Sequence, residues 1–210
     1  MNWPFDDTTR RNIAARCAGF ARLPETEPAP ALKRAAVAIA LVEAVGPLSD
    51  TALLLTLRAA GLRAHRGQWA LPGGRCDEGE TPVMAALREL QEELGLQVGE
   101  ENVLGLLDDY PTRSGYLITP VVVWAGANAK VSPNPGEVAS VHRIALGEIG
   151  QANAFDFIAI PESTRRVIRF RHAGRFIHAP TAALIYQFRE VLDGRDTRVA
   201  ELEQPVFAWK

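Results

Sequence analysis

The sequence predicts a three-layer α/β/α sandwich around a mixed β-sheet, and three observations carry that expectation. Short apolar runs rich in Val, Ile and Leu, bounded by turn residues, recur at 35–42, 51–56, 102–107, 116–124 and 138–144 and read as strands. Helical patterns at 6–22, 82–94 and 180–192 are interleaved with them, which places helices on both sides of a sheet. With 210 residues, 47% of them apolar and 23% charged, the chain can bury one sizeable core plus extensions without needing a second domain. Spacing alone does not fix the strand order.

Taken in order, 6–22 offers an apolar helix face of Ile13, Ala14, Cys17 and Phe20, with Asp7 or Thr8 as the cap. The proline-rich stretch 23–30 reads as an extended connector, so 1–32 forms an accessory helix and its linker. The domain proper runs over 33–194, and 195–210 is a tail. Strands 35–42 and 51–56, separated by Gly46-Pro47, are expected at the sheet centre. The loop 58–74 then carries charged and amide side chains up to a glycine pair, and a loop held between rigid elements is a common place for function. Further on, 108–115 links two strands, and the turn 132–138 delivers Glu137 just before the strand 138–144. A hairpin is expected at 166–171 and 175–178 around Ala173-Gly174. Pro180 opens the last helix and Gly194 follows its end. Pro205, Phe207 and Trp209 make the tail apolar enough to dock somewhere.

A net charge of −2 and a pI near 6.1 give no electrostatic case for binding bulk nucleic acid or a membrane surface, so any phosphate recognition must be local. Cys17 and Cys76 show neither metal-ligand spacing nor a disulfide framework, which suits a reducing compartment. No secretory signal or membrane-length apolar run is present, and the expected location is cytoplasmic.

The stretch 74–96 is the most informative. Thr81 is a plausible N-cap, Pro82 fits the first helical position and Gly95 can take the left-handed conformation that ends a helix. Val83, Leu87, Leu90 and Leu94 fall on one stripe at about 100° per residue and are assigned to the core. Glu89, Glu92 and Glu93 gather on another arc, where like charges cost about 0.2–0.5 kcal/mol per pair if left exposed. A divalent cation reverses that sign, and carboxylates on a rigid helix suit Mg²⁺ or Mn²⁺. Arg88 would then hold a neighbouring carboxylate in place.

Written as Gly74, five residues, Glu80, seven residues, Arg88-Glu89-Leu90, one residue, Glu92-Glu93, one residue, Gly95-Leu96, the stretch resembles the Nudix box at every defined position. The resemblance implies a Nudix-type α/β/α sandwich and Mg²⁺- or Mn²⁺-dependent hydrolysis of a diphosphate in a small nucleotide. It also implies a metal held by Glu89, Glu92, Glu93 and the Gly73 carbonyl. Either Glu89 or Glu137 would be the general base, with Glu89 favoured. Glu137 could instead ligate a metal or be a solvated turn residue. Dimerisation is common in the superfamily, so a homodimer is possible. The rival class is a non-catalytic nucleotide-binding module of the same fold, whose usual mark is loss of box glutamates, and none is missing here.

Upstream, Leu54-Leu55-Thr56-Leu57-Arg58-Ala59, then Arg63, Gly67 and Pro72-Gly73-Gly74, look like the extended motif of the coenzyme A diphosphatase subgroup. Leu71 stands where that subgroup usually has Phe, and Asp77-Glu-Gly-Glu80-Thr81 is the commoner form of the box insert. The resemblance implies cleavage of coenzyme A or acyl-CoA to 3′,5′-ADP and (acyl-)4′-phosphopantetheine. An ADP-ribose or dinucleotide pyrophosphatase is the nearer alternative. Arg58 and Arg63 offer planar donor forks for phosphate oxygens, His65 a further donor and Gln68 an amide, while Arg66 is the weakest of the group. Each arginine could equally pair with a surface carboxylate, and His65 could simply order its loop. Trp69 is assigned to core packing, and His142, His172 and His178 to no chemistry.

Overall fold

A computed structural model describes residues 2–23, 32–46, 49–61, 67–126 and 129–206; Arg63, His65, Arg66, Phe207 and Trp209 lie outside the described residues. In chain order these form α1 (Asp7–Gly19), β1 (Lys33–Glu43), β2 (Thr51–Arg58), β3 (Trp69–Ala70), β4 (Gly73–Arg75), α2 (Pro82–Leu94), β5 (Val103–Leu106), β6 (Tyr110–Pro111), β7 (Tyr116–Gly126) and β8 (Val138–Ala145). There follow α3 (Leu146–Ile149), β9 (Phe155–Ile160), β10 (Ser163–His172), β11 (Arg175–His178) and α4 (Thr181–Leu192). Among the described residues no helix is long and apolar enough to cross a membrane.

Strand β1 is the axis of the sheet. It pairs in parallel with β7 along most of its length and antiparallel with β2 and β4, so the eight-stranded sheet is mixed. The continuous apolar run of β1 is explained by burial on both faces. Ala36, Ala38, Ala40 and Val42 pack towards α2 together with Leu54, Val121 and Val123. Ile39, Leu41, Leu53, Leu55 and Val122 face the opposite layer, which holds α1, α4 and a second sheet of order β11-β10-β9. The sandwich expected from the sequence is therefore present, with that three-stranded sheet added on the α4 side. The hairpin β10–β11 was legible, whereas β9 and the single-turn α3 were not.

Helix α2 has the expected limits. The Thr81 hydroxyl accepts a hydrogen bond from the Met84 N–H at 3.2 Å, and Gly95 ends the helix at φ 67. Its buried stripe differs from the expected one. Ala85, Ala86, Leu90, Glu93 and Leu94 are buried, while Val83 and Leu87 are only partly so. The reason is steric: Ala85 and Ala86 meet the alanines of β1, and two short side chains let helix and sheet approach closely. Leu90 and Leu94, fully buried, contribute about 1.5–3 kcal/mol each.

Two N-terminal expectations need correction. Helix α1 ends at Gly19, and its cap is Asp6, whose carboxylate accepts from the Thr9 N–H at 2.7 Å; neither Asp7 nor Thr8 caps it. Ile13, Cys17 and Phe20 are buried against the sheet, and Gly105 of β5 makes room for them, because a Cβ there would come within 2.7 Å of the Cys17 Cβ.

The tail docks between the 108–115 loop and β10. Tyr110 Oη donates to the Leu202 carbonyl at 2.8 Å, and Arg198 pairs with Asp108 at 2.7 Å. Buried Glu203 accepts from Arg113 at 2.6 Å and from the Ser163 hydroxyl at 2.8 Å. The Arg113 hydrogen bond, ahead of the others, lowers the Glu203 carboxyl to about 2. An acid lowered in the folded state contributes stability above its unfolded value, and that contribution is lost as pH falls through about 2. Replacing Glu203 with Gln should therefore lower thermal stability at pH 7 by about 1–3 kcal/mol and flatten the acid limb of the stability profile below pH ~4.5, both measurable by denaturant titration across pH.

Candidate active site

Helix α2 projects its carboxylates towards the glycine pair of β4. Glu93, only 3% exposed, accepts a hydrogen bond from the Gly73 N–H at 3.3 Å and lies 3.6 Å from a terminal nitrogen of Arg58 at the end of β2. Burial, then the charge of Glu89, push its carboxyl up to about 7, partly offset by Arg58. Glu89 packs against Gly74, where any Cβ would overlap its carboxylate. Its carboxyl is also raised, mainly by burial, with Arg88 opposing. The glycine at 74 is thus a requirement of the space Glu89 occupies.

Arg88 is the organising cation. Its guanidinium donates to Glu80 at 2.9 and 3.1 Å, to Glu89 at 2.9 Å, to Glu92 at 3.0 Å and to the Arg75 carbonyl at 3.0 Å. Those contacts saturate a planar donor fork as a lysine could not. Glu80 accepts in addition from the Asp77 N–H at 2.9 Å, which closes the turn before α2. Its carboxyl is lowered, chiefly by the Arg88 hydrogen bond. The sequence pattern contains Glu80 but gave it no role, because its partner lies one helical segment away and is set by the turn.

The three glutamates do not share one solvated arc. Glu92 sits at the rim with its side chain 54% exposed, Glu89 is mostly covered and Glu93 is buried. Glu137 arrives from the turn before β8. Its carbonyl accepts from the Ala59 N–H at 2.8 Å, and its charge raises the carboxyls of both Glu89 and Glu93. The turn carrying it is tied to α2 by the Asn134 N–H, which donates to the Glu93 carbonyl at 2.8 Å. Among the described residues no three carboxylate, imidazole or thiol groups converge as a metal cage, and Arg88 lies between Glu89 and Glu92. Even so, Glu89, Glu93 and Glu137 form a cluster of hard oxygen donors in which the neighbouring charges raise the proton affinity of Glu89 and Glu93, with Arg58 at 3.6 Å from Glu93 as a distant counter-charge. That donor set fits a hard divalent cation.

Beyond Gly73 and Gly74 opens a cleft of about 700 Å³. Arg58, Gln68, Arg75 and Arg175 are among its lining residues, and no described Asp or Glu lines it. Structure therefore brings Arg58, Gln68 and Gly73 to one cavity beside Glu93. Arg63 and His65 fall outside the described residues. Trp69, assigned to the core from sequence, is half-buried and forms part of the cleft wall. It packs edge-on against His142 at 4.6 Å and His172 at 5.7 Å. The ring nitrogen Nδ1 of His172 lies 2.6 Å from a Glu148 carboxylate oxygen, away from the glutamate cluster's own partners. Cleft residues from β7 and β11 were missed, because only the tertiary fold brings them to β3 and β4.

Comparison with known proteins adds three findings. A model of the NUDIX domain matches residues 32–167. Curated relatives called "Uncharacterized Nudix hydrolase NudL" match over most of their length. The one from Photorhabdus laumondii is 33% identical over 66% of this chain and 75% of its own, and that from Yersinia pestis is 35% identical over 73% and 76%. Among solved structures, a MutT/nudix family protein from Enterococcus faecalis superposes with a TM-score of 0.52 over 90% of this chain and 75% of its own, at 19% identity, a likeness of fold.

The raised carboxyl of Glu93 sets a pH dependence for the metal-free protein. Between the unfolded value near 4.5 and about 7 the folded state holds the proton more tightly, so stability is full at low pH and falls as pH rises through that window. The change expected is on the order of 2–3 kcal/mol, and Glu93→Gln should abolish it and raise chelator-treated stability at pH 8. Denaturant titrations from pH 5 to 8 would measure this, and a flat wild-type profile would contradict the burial argument.

Proposed function

The chain belongs to the Nudix family of hydrolases, which act on nucleoside diphosphate-linked compounds, and from that premise we propose that it cleaves coenzyme A or acyl-CoA to 3′,5′-ADP and (acyl-)4′-phosphopantetheine. The observation that carries this reading is the position of Arg58. It is the first arginine of the upstream motif, it lines the cleft, and it stands 3.6 Å from Glu93. A diphosphate lying past Gly73 and Gly74 would meet donors from one side and carboxylates from the other. Coenzyme A carries a 3′-phosphate besides its diphosphate, which suits a cleft whose described lining residues include cations and no carboxylate.

Glu89, Glu92, Glu93 and the Gly73 carbonyl would hold Mg²⁺ or Mn²⁺. Such an ion neutralises phosphate oxygens and lowers the pKa of water. The remaining work falls to the chain's own residues. Arg58 donates to non-bridging phosphate oxygens. Glu89, oriented by Arg88, takes a proton from the attacking water, with Glu137 as the other base within reach of the same cluster. The water oxygen bonds to one phosphorus, the bridging P–O bond breaks, and the second phosphate leaves with the electron pair. Gln68 contributes an amide at the cleft wall, and its backbone carbonyl holds the Arg58 N–H at 3.0 Å. Arg63 and His65 complete the proposed substrate contacts.

A Mg²⁺-dependent panel of coenzyme A, ADP-ribose and dinucleotides, with identification of the phosphate each product retains, tests the reading. Coenzyme A is expected to have the highest kcat/KM and to yield 3′,5′-ADP; faster turnover of ADP-ribose would replace it with the alternative that Leu71 and the common box insert favour. Glu93→Gln should reduce turnover to background at saturating Mg²⁺ with an intact fold, and Arg58→Ala should raise KM about tenfold, the loss of roughly one charge-assisted contact.

A further inference from the structure

The cleft is longer than a diphosphate needs, and its far wall comes from outside the matched region. Strand β11 and the start of α4 lie beyond residue 167, yet Phe176, Ile177, Ala179 and Leu184 line the same cavity as Arg58 and Gly73. Tyr116 and Ile118 of β7 line the same cavity. Arg58 and Arg75 line the cavity near the glutamates and Arg175 lies on its far wall, while most of its other lining residues are apolar.

Two features give the far wall a more specific character. Strand β11 terminates its sheet, in the order β11-β10-β9, so its outer backbone edge faces away from β10. A terminal strand presents main-chain N–H and C=O groups that an extended ligand can pair with, as peptides do when they extend a sheet. Phe176 is also one of the few large apolar side chains left exposed, at 37%. It is braced rather than loose: the guanidinium of Arg169 lies 3.9 Å from its ring centroid, and both Arg169 and Arg171 are anchored on Asp156. A braced aromatic at a cavity rim is a low-entropy contact for an uncharged chain.

We propose that the outer edge of β11, with Phe176, is the specificity wall of this enzyme and receives the uncharged, amide-bearing arm attached to the far phosphate of the substrate. Resting on the coenzyme A reading above, the proposal assigns the pantetheine amides to strand-like pairing along 175–177 and the intervening methylenes to the apolar wall. It also explains why a cavity bordering an anion site is mainly apolar in its body. A sugar such as ribose would leave this wall unused.

Two measurements on the full chain test it. First, hydrogen exchange of metal-free protein with and without coenzyme A is expected to slow at 175–178 as well as around the glycine pair; protection confined to 58–75 would overturn the proposal. Second, turnover is compared for coenzyme A, for an analogue whose pantetheine is replaced by an alkyl arm of equal length, and for ADP-ribose. Losing the amides should cost about tenfold or more in kcat/KM. Phe176→Ala should lower the ratio of coenzyme A to ADP-ribose turnover about fivefold to tenfold, a ratio that cancels any loss of folded protein. Equal rates for coenzyme A and the alkyl analogue, or an unchanged ratio in Phe176→Ala, would sink the wall while leaving coenzyme A as substrate. Failure of coenzyme A to turn over or to protect any segment, with ADP-ribose cleaved, would instead remove the coenzyme A reading and the wall with it.

Discussion

A carboxylate buried beside other carboxylates is the constraint on which the rest of this structure depends. Glu93 is 3% exposed and, among the described residues, is compensated by a main-chain N–H and a guanidinium 3.6 Å away. Leaving a buried charge so weakly paired is costly, and the raised proton affinity of the site is the direct expression of that cost. A chain selected for stability alone would place an apolar residue here, in line with Leu90 and Leu94. That it places Glu, with Glu89 and Glu137 close enough to be felt, marks the cluster as built for a positive charge supplied from outside.

The surroundings follow from keeping that cluster in place. Ala85 and Ala86 let α2 lie close on the alanines of β1, which carries the helix deep enough for Glu93 to reach β4. Gly73 and Gly74 are the matching concession on the strand side: a Cβ at 73 would run into β1 and one at 74 into Glu89. Arg88 then divides the acids by function. It binds Glu80, Glu89 and Glu92 and leaves Glu93 to the glycine backbone and Arg58. One guanidinium thereby keeps the rim carboxylates ordered, while the buried one faces the cleft side.

The limits of α2, its Thr81 and Gly95 caps, the central strands and the terminal hairpin were readable because local rules govern them: capping, apolar periodicity and turn residues. What local rules do not govern was misjudged. A helical wheel placed Glu92 and Glu93 on one arc, yet the two differ from buried to 54% exposed, because burial depends on how close the sheet stands and not on angle alone. The Asp6 cap was missed by one residue, since Asp6, Asp7 and Thr8 are chemically interchangeable until the entering backbone is fixed. Strand β9, which pairs with its sequence neighbour β10 across the turn at 161–162, was overlooked, whereas the docking of Glu203 on β10 depends on contacts between residues far apart in sequence, which no local pattern encodes.

The same division separates chemistry from selectivity. The residues proposed to act on the bond lie on one helix and the adjoining strand ends, where spacing is rigid and a sequence pattern can record it. Residues that shape the cleft come from β3, β7, β11 and the start of α4, four segments whose proximity is a property of the fold. Their identities can vary independently without disturbing Glu89, Glu93 or Arg88, so long as the two-layer contact around Trp69 and Ile177 is kept. Substrate choice in such an architecture resides where sequence motifs are weakest, and the tail adds to this. Gln204 lines the cleft while its neighbour Glu203 is bound to Arg113 and Ser163, so the anchoring of the C-terminal segment fixes one side of the cavity from more than a hundred residues beyond α2.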